Sequence, residues 1–144
     1  MKMNEPVASD DAEMAWAFPS VDPGAKPLGG RVMVQIRRSK KKTTKAGIVL
    51  VEETKETEKW NTMIGKVIAI GPLAFKKRDS MESWPEGAWA KVGDFVRVPK
   101  WGGDRWEVDY EQNGSTGKAL FTFFNDHELI GRVTGDPLKI KAFI

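Results

Sequence analysis

Few side chains in this 144-residue chain suit covalent or metal chemistry. It has no cysteine and a single histidine, His127, which excludes thiolate nucleophiles, disulfides and multi-histidine metal sites. No paired carboxylates, Ser-His-Asp arrangement or phosphate-cradling glycine loop stands out, and His127 reads as a surface or capping residue. No catalytic residue, metal or cofactor is assigned. What remains is the chemistry of noncovalent contact, concentrated in three features.

The first is a basic block, Arg37, Arg38, Lys40, Lys41, Lys42 and Lys45, followed almost at once by Glu52, Glu53, Glu56 and Glu58. Lys and Arg gain affinity for phosphates by releasing counterions, but the four glutamates would repel the same backbone. The net charge of +3, from 23 basic and 20 acidic residues, is too small an excess to argue for nucleic acid. The second is an aromatic set, Trp84, Trp89, Trp101, Trp106, Phe121, Phe123 and Phe124. Such rings can stack on single-stranded bases; filling the core of a small β-barrel is the simpler reading.

The third is the apolar run Gly47-Ile48-Val49-Leu50-Val51, set between the two charged blocks. Its β-branched residues favour a strand of the core. Its flanks are too polar to fold alone, which instead favours a mobile loop that presents a short apolar tag and orders on a partner. Periodicity leaves both readings open.

The elements around these features read as strands. Val32, Val34 and Ile36 alternate with polar or long side chains, the signature of a half-buried strand. The segments MIGKVIAIGP and VGDFVRVP give two more, bounded by Gly71-Pro72, Gly93-Asp94 and Pro99. A short strand follows around Trp106 to Val108, then a turn at Gly114 to Gly117, then ALFTFF, a helical turn in NDHEL and a last strand over Leu129 to Val133. Five or six short strands without an amphipathic helix imply an all-β protein, a small irregular barrel or sandwich. Residues 1–26 read as an extended or disordered arm, although Trp16 and Phe18 suggest that it docks on its own barrel or on a neighbour. Composition, 40% hydrophobic and 30% charged, fits a soluble globular protein with no membrane span, and the N-terminus has no apolar signal region. A cytoplasmic location is expected.

In order, these pieces resemble the GroES-type co-chaperonin family. The family pattern P-L-x-x-R-V-x-V is matched by Pro27, Leu28, Arg31, Val32 and Val34. The tip of its mobile loop, G-I-V-L, is matched by Gly47, Ile48, Val49 and Leu50. The pattern G-x-V-x-A-x-G is matched by Gly65, Val67, Ala69 and Gly71, and V-K-x-G-D-x-V by Lys91, Gly93, Asp94 and Val96, with a looser echo at Asp126 to Ile130. The resemblance spans residues 26 to 133.

That resemblance implies a GroES-like β-barrel over residues 27–134, with a mobile loop at 38–62, a roof hairpin at 73–90 and an extra tail at 135–144. It implies a seven-fold homo-oligomeric ring that caps a GroEL-type chaperonin and encloses non-native clients, with no enzyme activity of its own because ATP is used by the chaperonin. Gly47, Ile48, Val49 and Leu50 become the chaperonin-binding residues. The family's pairing of first and last strands between subunits points to Val32 and Val34 with Leu129, Ile130 and Val133 as the subunit interface. The extra arm, tail and enlarged roof are similar to elaborations in co-chaperonins carried by bacteriophages.

Overall fold

The alternating segment Arg31–Ile36 forms strand β1, and every later strand of the main sheet is arranged around it. The computed structural model describes residues 7–38, 41–43, 49–51, 62–100, 103–112 and 114–140. The further strands are β2 (Lys41–Thr43), β3 (Val49–Val51), β4 (Thr62–Ile70), β5 (Phe95–Pro99), β6 (Asp104–Gln112), β7 (Ser115–Asn125) and β8 (Gly131–Arg132), with one α-helix, α1 (Val7–Ala17), and a 3-10 turn at Asp126–Glu128. Six strands form one antiparallel sheet in the order β6-β7-β1-β4-β5-β8, and β2 pairs with β3 in a separate two-stranded ribbon. The fold is all-β as expected. The six-stranded sheet is open, however, with β6 and β8 as its edges. The strand expected around Trp106 to Val108 grows to nine residues, because Asp104 to Gln112 pairs continuously with β7 across a hairpin.

Alternation predicts that β1 buries one face, yet Val32, Met33, Val34, Gln35 and Ile36 are all buried. Val32, Val34 and Ile36 join Val67, Val96, Val98 and Phe124 in the main core. Met33 points the other way and packs with Ala119 and Phe121. The expected extended or disordered arm is what covers this second face. Residues 7–17 are helical, in keeping with good helix formers such as Ala12, Glu13, Met14 and Ala15. Ala17 and Phe18 are buried against Ile64, and the Phe18 ring lies 5.1 Å from that of Phe95. Gln35 Nε2 donates to the Pro19 carbonyl at 2.8 Å and Trp106 Nε1 to the Pro23 carbonyl at 2.8 Å, so the arm satisfies polar groups on the face that it covers. Burial of the Phe18 ring and partial burial of Trp16 offset part of the cost of ordering the segment.

The motif residues explain themselves in the packing of β4. A Cβ at Gly65 would fall on Val34 Cγ1 and within 3.1 Å of the Gln35 carbonyl oxygen, so β1 and β4 reach their close register only because residue 65 has no side chain. The β1–β4 register shifts between Met33 and Val34, a bulge that leaves Ile68 unopposed. The Lys91–Asp94 turn is docked on the same strand. Lys91 N donates to Asp94 Oδ2 at 3.0 Å, Gly93 N to the Val67 carbonyl at 2.9 Å and Val67 N to the Asp94 carbonyl at 2.8 Å. Gly93 sits at φ +98°, where a side chain is strained.

Residues 73–90 form a compact hairpin closed by an isolated Lys76–Ser83 bridge and by Trp84 N donating to the Phe75 carbonyl at 3.0 Å. Trp84 and Trp89 are half-buried and pack edge-on, 4.8 Å apart, against the main core beside Phe75. Phe75 itself is in the left-handed region at φ +62°, a conformation that costs a residue with a Cβ of order 1–3 kcal/mol. It is held there by the buried Asp126, whose Oδ2 accepts the Phe75 N–H at 2.9 Å.

Two outcomes follow from this packing. Gly65→Ala should lower unfolding stability by about 1–3 kcal/mol through overpacking against Val34, read from the midpoint of a denaturant titration. Asp126→Ala, which leaves the Phe75 N–H buried without its acceptor, should also cost about 1–3 kcal/mol, while Asp126→Asn keeps an acceptor and should lose less; an equal loss for both would mean that the bond contributes little.

Candidate functional site

Strands β1 and β4 are neighbours; β1 ends at Ile36, whose register partner is Gly65, and the chain re-enters the sheet three residues earlier at Thr62, where β4 first pairs with β5. The long connection between them, which carries the charged blocks and the apolar run, therefore starts and ends at one point on the sheet. Arg37 N donates to the Ile64 carbonyl at 2.8 Å and closes its neck. Of the chaperonin-binding residues expected from the resemblance, Gly47 and Ile48 lie outside the described residues. Val49 and Leu50 lie on β3, whose backbone pairs with β2 through Thr43–Val49, Lys42–Leu50 and Lys41–Val51. The strand propensity of the run is thus expressed, but not as a strand of the main sheet: its ladder partner is the basic segment before it.

At the neck, the basic block divides. Arg37 and Arg38, read from sequence as the start of a solvated charge run, are half-buried. Arg37 Nη1 donates to the carbonyls of Pro137 and Ile140, at 2.9 and 2.6 Å. Arg38 donates its backbone N–H to the Ala17 carbonyl at 3.1 Å, its guanidinium carbon stands 4.2 Å from the centroid of the Trp16 ring and 5.6 Å from that of Tyr110, and Nη1 bonds the Tyr110 hydroxyl. Desolvation by this partial burial lowers the Arg38 pKa, and a guanidinium remains charged at neutral pH regardless. A flanking-charge pattern gave no sign of these partners, because they come from residues 16, 17, 110, 137 and 140, far away in sequence.

The residues expected at the subunit interface are scattered by the fold. Val32 and Val34 cannot pair with a neighbouring subunit: β1 is hydrogen-bonded to β7 on one edge and β4 on the other, and both side chains are fully buried in the chain's own core. Leu129 is also in that core, and Val133 packs with Ala17, Phe18 and Ile64 beneath the arm. Ile130 is 56% exposed. It flanks β8, whose outer edge is open, beside a groove of about 400 Å³ lined by Trp89, Val96, Leu129 and Arg132 among others. The tail over residues 135–144, expected to be extra to the family pattern, folds as a turn over Asp136 to Ile140, with Leu138 N donating to Asp136 Oδ1 at 2.9 Å; residues 141–144 lie outside the described residues. Of the aromatics read as either platform or core, Phe121 and Phe124 are buried, Trp84, Trp89, Trp106 and Phe123 are half-buried against the core clusters, with Trp106 stacked on Phe121 at 5.7 Å, and Trp101 lies outside the described residues. Among the described residues, no three acidic or histidine side chains gather closely enough to hold a metal ion, and no helix is long and apolar enough to cross a membrane.

A small, mostly antiparallel β protein with one long connection that begins and ends at neighbouring strands is the class that this geometry defines. The family model described as the chaperonin 10 kDa subunit matches residues 24–118, and the chain belongs to that family. Among similar curated proteins, the co-chaperonin GroES of Natranaerobius thermophilus is 37% identical over 87 residues, covering 60% of this chain and 82% of that protein. The co-chaperonin GroES of Thermus thermophilus is 39% identical over 90 residues, covering 60% and 77%. That of Acidiphilium cryptum is 27% identical over 117 residues, covering 81% and 96%. The family match begins at residue 24, so α1 and the rings of Trp16 and Phe18 fall outside it.

Burial separates the expected interface residues by experiment. Val34→Ala should lower unfolding stability by about 1–3 kcal/mol, whereas Ile130→Ser should leave it within about 0.5 kcal/mol; denaturant unfolding of the two variants side by side is the check.

Proposed function

We propose that this chain is a co-chaperonin, a lid that closes the folding chamber of a GroEL-type chaperonin and so assists ATP-dependent folding of enclosed clients. Membership of the chaperonin 10 kDa family supports the role, as do the relatives named co-chaperonin GroES. The observation that carries it is the Ile48-Val49-Leu50 run in the long connection between the neighbouring strands β1 and β4, whose described strands β2 and β3 pair with each other and not with the main sheet. In this reading Ile48, Val49 and Leu50 enter a groove on the chaperonin, Gly47 permits the turn into them, and the charged blocks on either side keep the run solvated until then. The chain acts as a ring, seven-fold by family resemblance, in the cytoplasm. It is not an enzyme and holds no cofactor; ATP binding and hydrolysis belong to the chaperonin.

The energetics suit a lid that must leave. Burying three branched side chains is worth roughly 1.5–3 kcal/mol each, and fixing loop residues costs on the order of 1 kcal/mol apiece. A single loop therefore binds weakly. Several loops on one ring act at high effective concentration and bind strongly together while each contact stays reversible.

Ile48→Ser or Leu50→Ser should weaken capture by a GroEL-type chaperonin in the presence of nucleotide at least tenfold, since each removes about 1.4 kcal/mol or more from every loop. The same variants should keep the wild-type unfolding midpoint. Native mass measurement of the protein with and without chaperonin reads the first, denaturant titration the second. Variants that unfold instead would place the run in the core and overturn the reading.

A further inference from the structure

The segments at the two ends of the described chain converge on the two residues at which the β1–β4 connection begins. From the N-terminal side, the Ala17 carbonyl accepts the Arg38 N–H and the Trp16 ring faces the Arg38 guanidinium at 4.2 Å. From the C-terminal side, the carbonyls of Pro137 and Ile140 accept Arg37 Nη1. The two segments also pack on each other's ground: Leu138, Ile140 and Val133 share an apolar cluster with Ala17, Phe18 and Ile64. Ile64 in turn supplies the carbonyl that accepts the Arg37 N–H. The neck is thus bonded at Arg37 and Arg38 to its own return strand, to the arm and to the tail.

We infer that Arg37 and Arg38 are positioning residues for the chaperonin-binding connection, and that the arm and the tail form a collar that fixes its root and so raises its affinity for the chaperonin. The inference rests on the reading of that connection as the chaperonin-binding element. Its physical basis is entropic. A segment that must order on binding loses less conformational freedom if its root is already fixed in the free protein. Arg suits the task because its planar guanidinium stacks on aromatic faces and donates in several directions at once. Neither the arm nor the tail belongs to the apolar run, so the collar would change the strength of capture without changing what is recognised.

The chain has no cysteine, so Lys40→Cys introduces a single thiol just after Arg38 in sequence and Asp79→Cys one in the roof hairpin for a nitroxide spin label. Arg38→Ala and Trp16→Ala should each narrow the spectrum of the label at position 40, leave the label at position 79 unchanged, and weaken chaperonin capture by about three- to tenfold per loop, the range expected for a lost cation–π contact. Trp16→Phe, which keeps an aromatic face, should restore both. An unchanged spectrum at position 40, equal narrowing at both label sites, or a loosened root with undiminished capture would each overturn the collar. Arg37→Ala, which removes the bonds to the tail carbonyls, should narrow the spectrum at position 40 as well, and an unchanged spectrum would remove the tail from the collar. If the unsubstituted protein captures no chaperonin, the reading of the partner fails, and the two label sites still decide whether the arm and tail hold the neck.

Discussion

Strand β1 has no unoccupied side. Its two edges are bonded to β4 and β7, one face is sealed by the main core and the other by Met33's cluster and the arm. A strand in that position cannot donate to a neighbouring molecule, cannot tolerate a bulkier β4, and cannot be left with an uncovered outer face carrying Met33 and Gln35. The glycine at 65 and the docking of residues 16–23 are both consequences. So is the placement of the long connection: since β1 and β4 are locked in register up to Ile36 and Gly65, the chain between them is forced out of the sheet at one place.

Much of this is legible in the sequence because local chemistry determines it. β-Branched runs closed by glycine and proline become β1, β4 and β5, and the Lys91-x-Gly93-Asp94 turn forms where its residues put it. Motif spacing carries the family, and the run at Gly47 to Val51 stands out by the contrast between its apolar side chains and its charged flanks. What stays hidden is nonlocal. Nothing in MAWAF says that Phe18 will lie against Phe95, and a half-buried alternation cannot reveal that Met33 and Gln35 will be covered by a segment ten or more residues upstream. Arg37 and Arg38 look like part of a charge run because their partners are close only in space. Val32 and Val34 meet the same obstacle as interface residues: a position within a strand does not tell how many neighbours the strand has.

The molecule divides its apolar residues by use. Phe121, Phe124 and the valines of β1 and β5 stabilise one fold and are buried. Ile48, Val49 and Leu50 belong to the connection that leaves the sheet between β1 and β4, where in the proposed function they serve a partner. In the same proposal the charged flank on either side of the run lets the two uses coexist by opposing its collapse onto the sheet. Hydrophobicity alone does not distinguish these residues; position relative to the register of β1 and β4 does.

The roof pair offers a last consequence, of an optical kind. The Trp84 and Trp89 rings are 4.8 Å apart at an interplanar angle of 66°. Two indoles that close and that far from parallel couple their electronic transitions, and the coupling gives the pair its own circular-dichroism couplet, distinct from the sum of isolated tryptophans. The chain thereby carries an intrinsic, label-free reporter of whether Phe75, Asp126 and the hairpin above them are in place in the free protein.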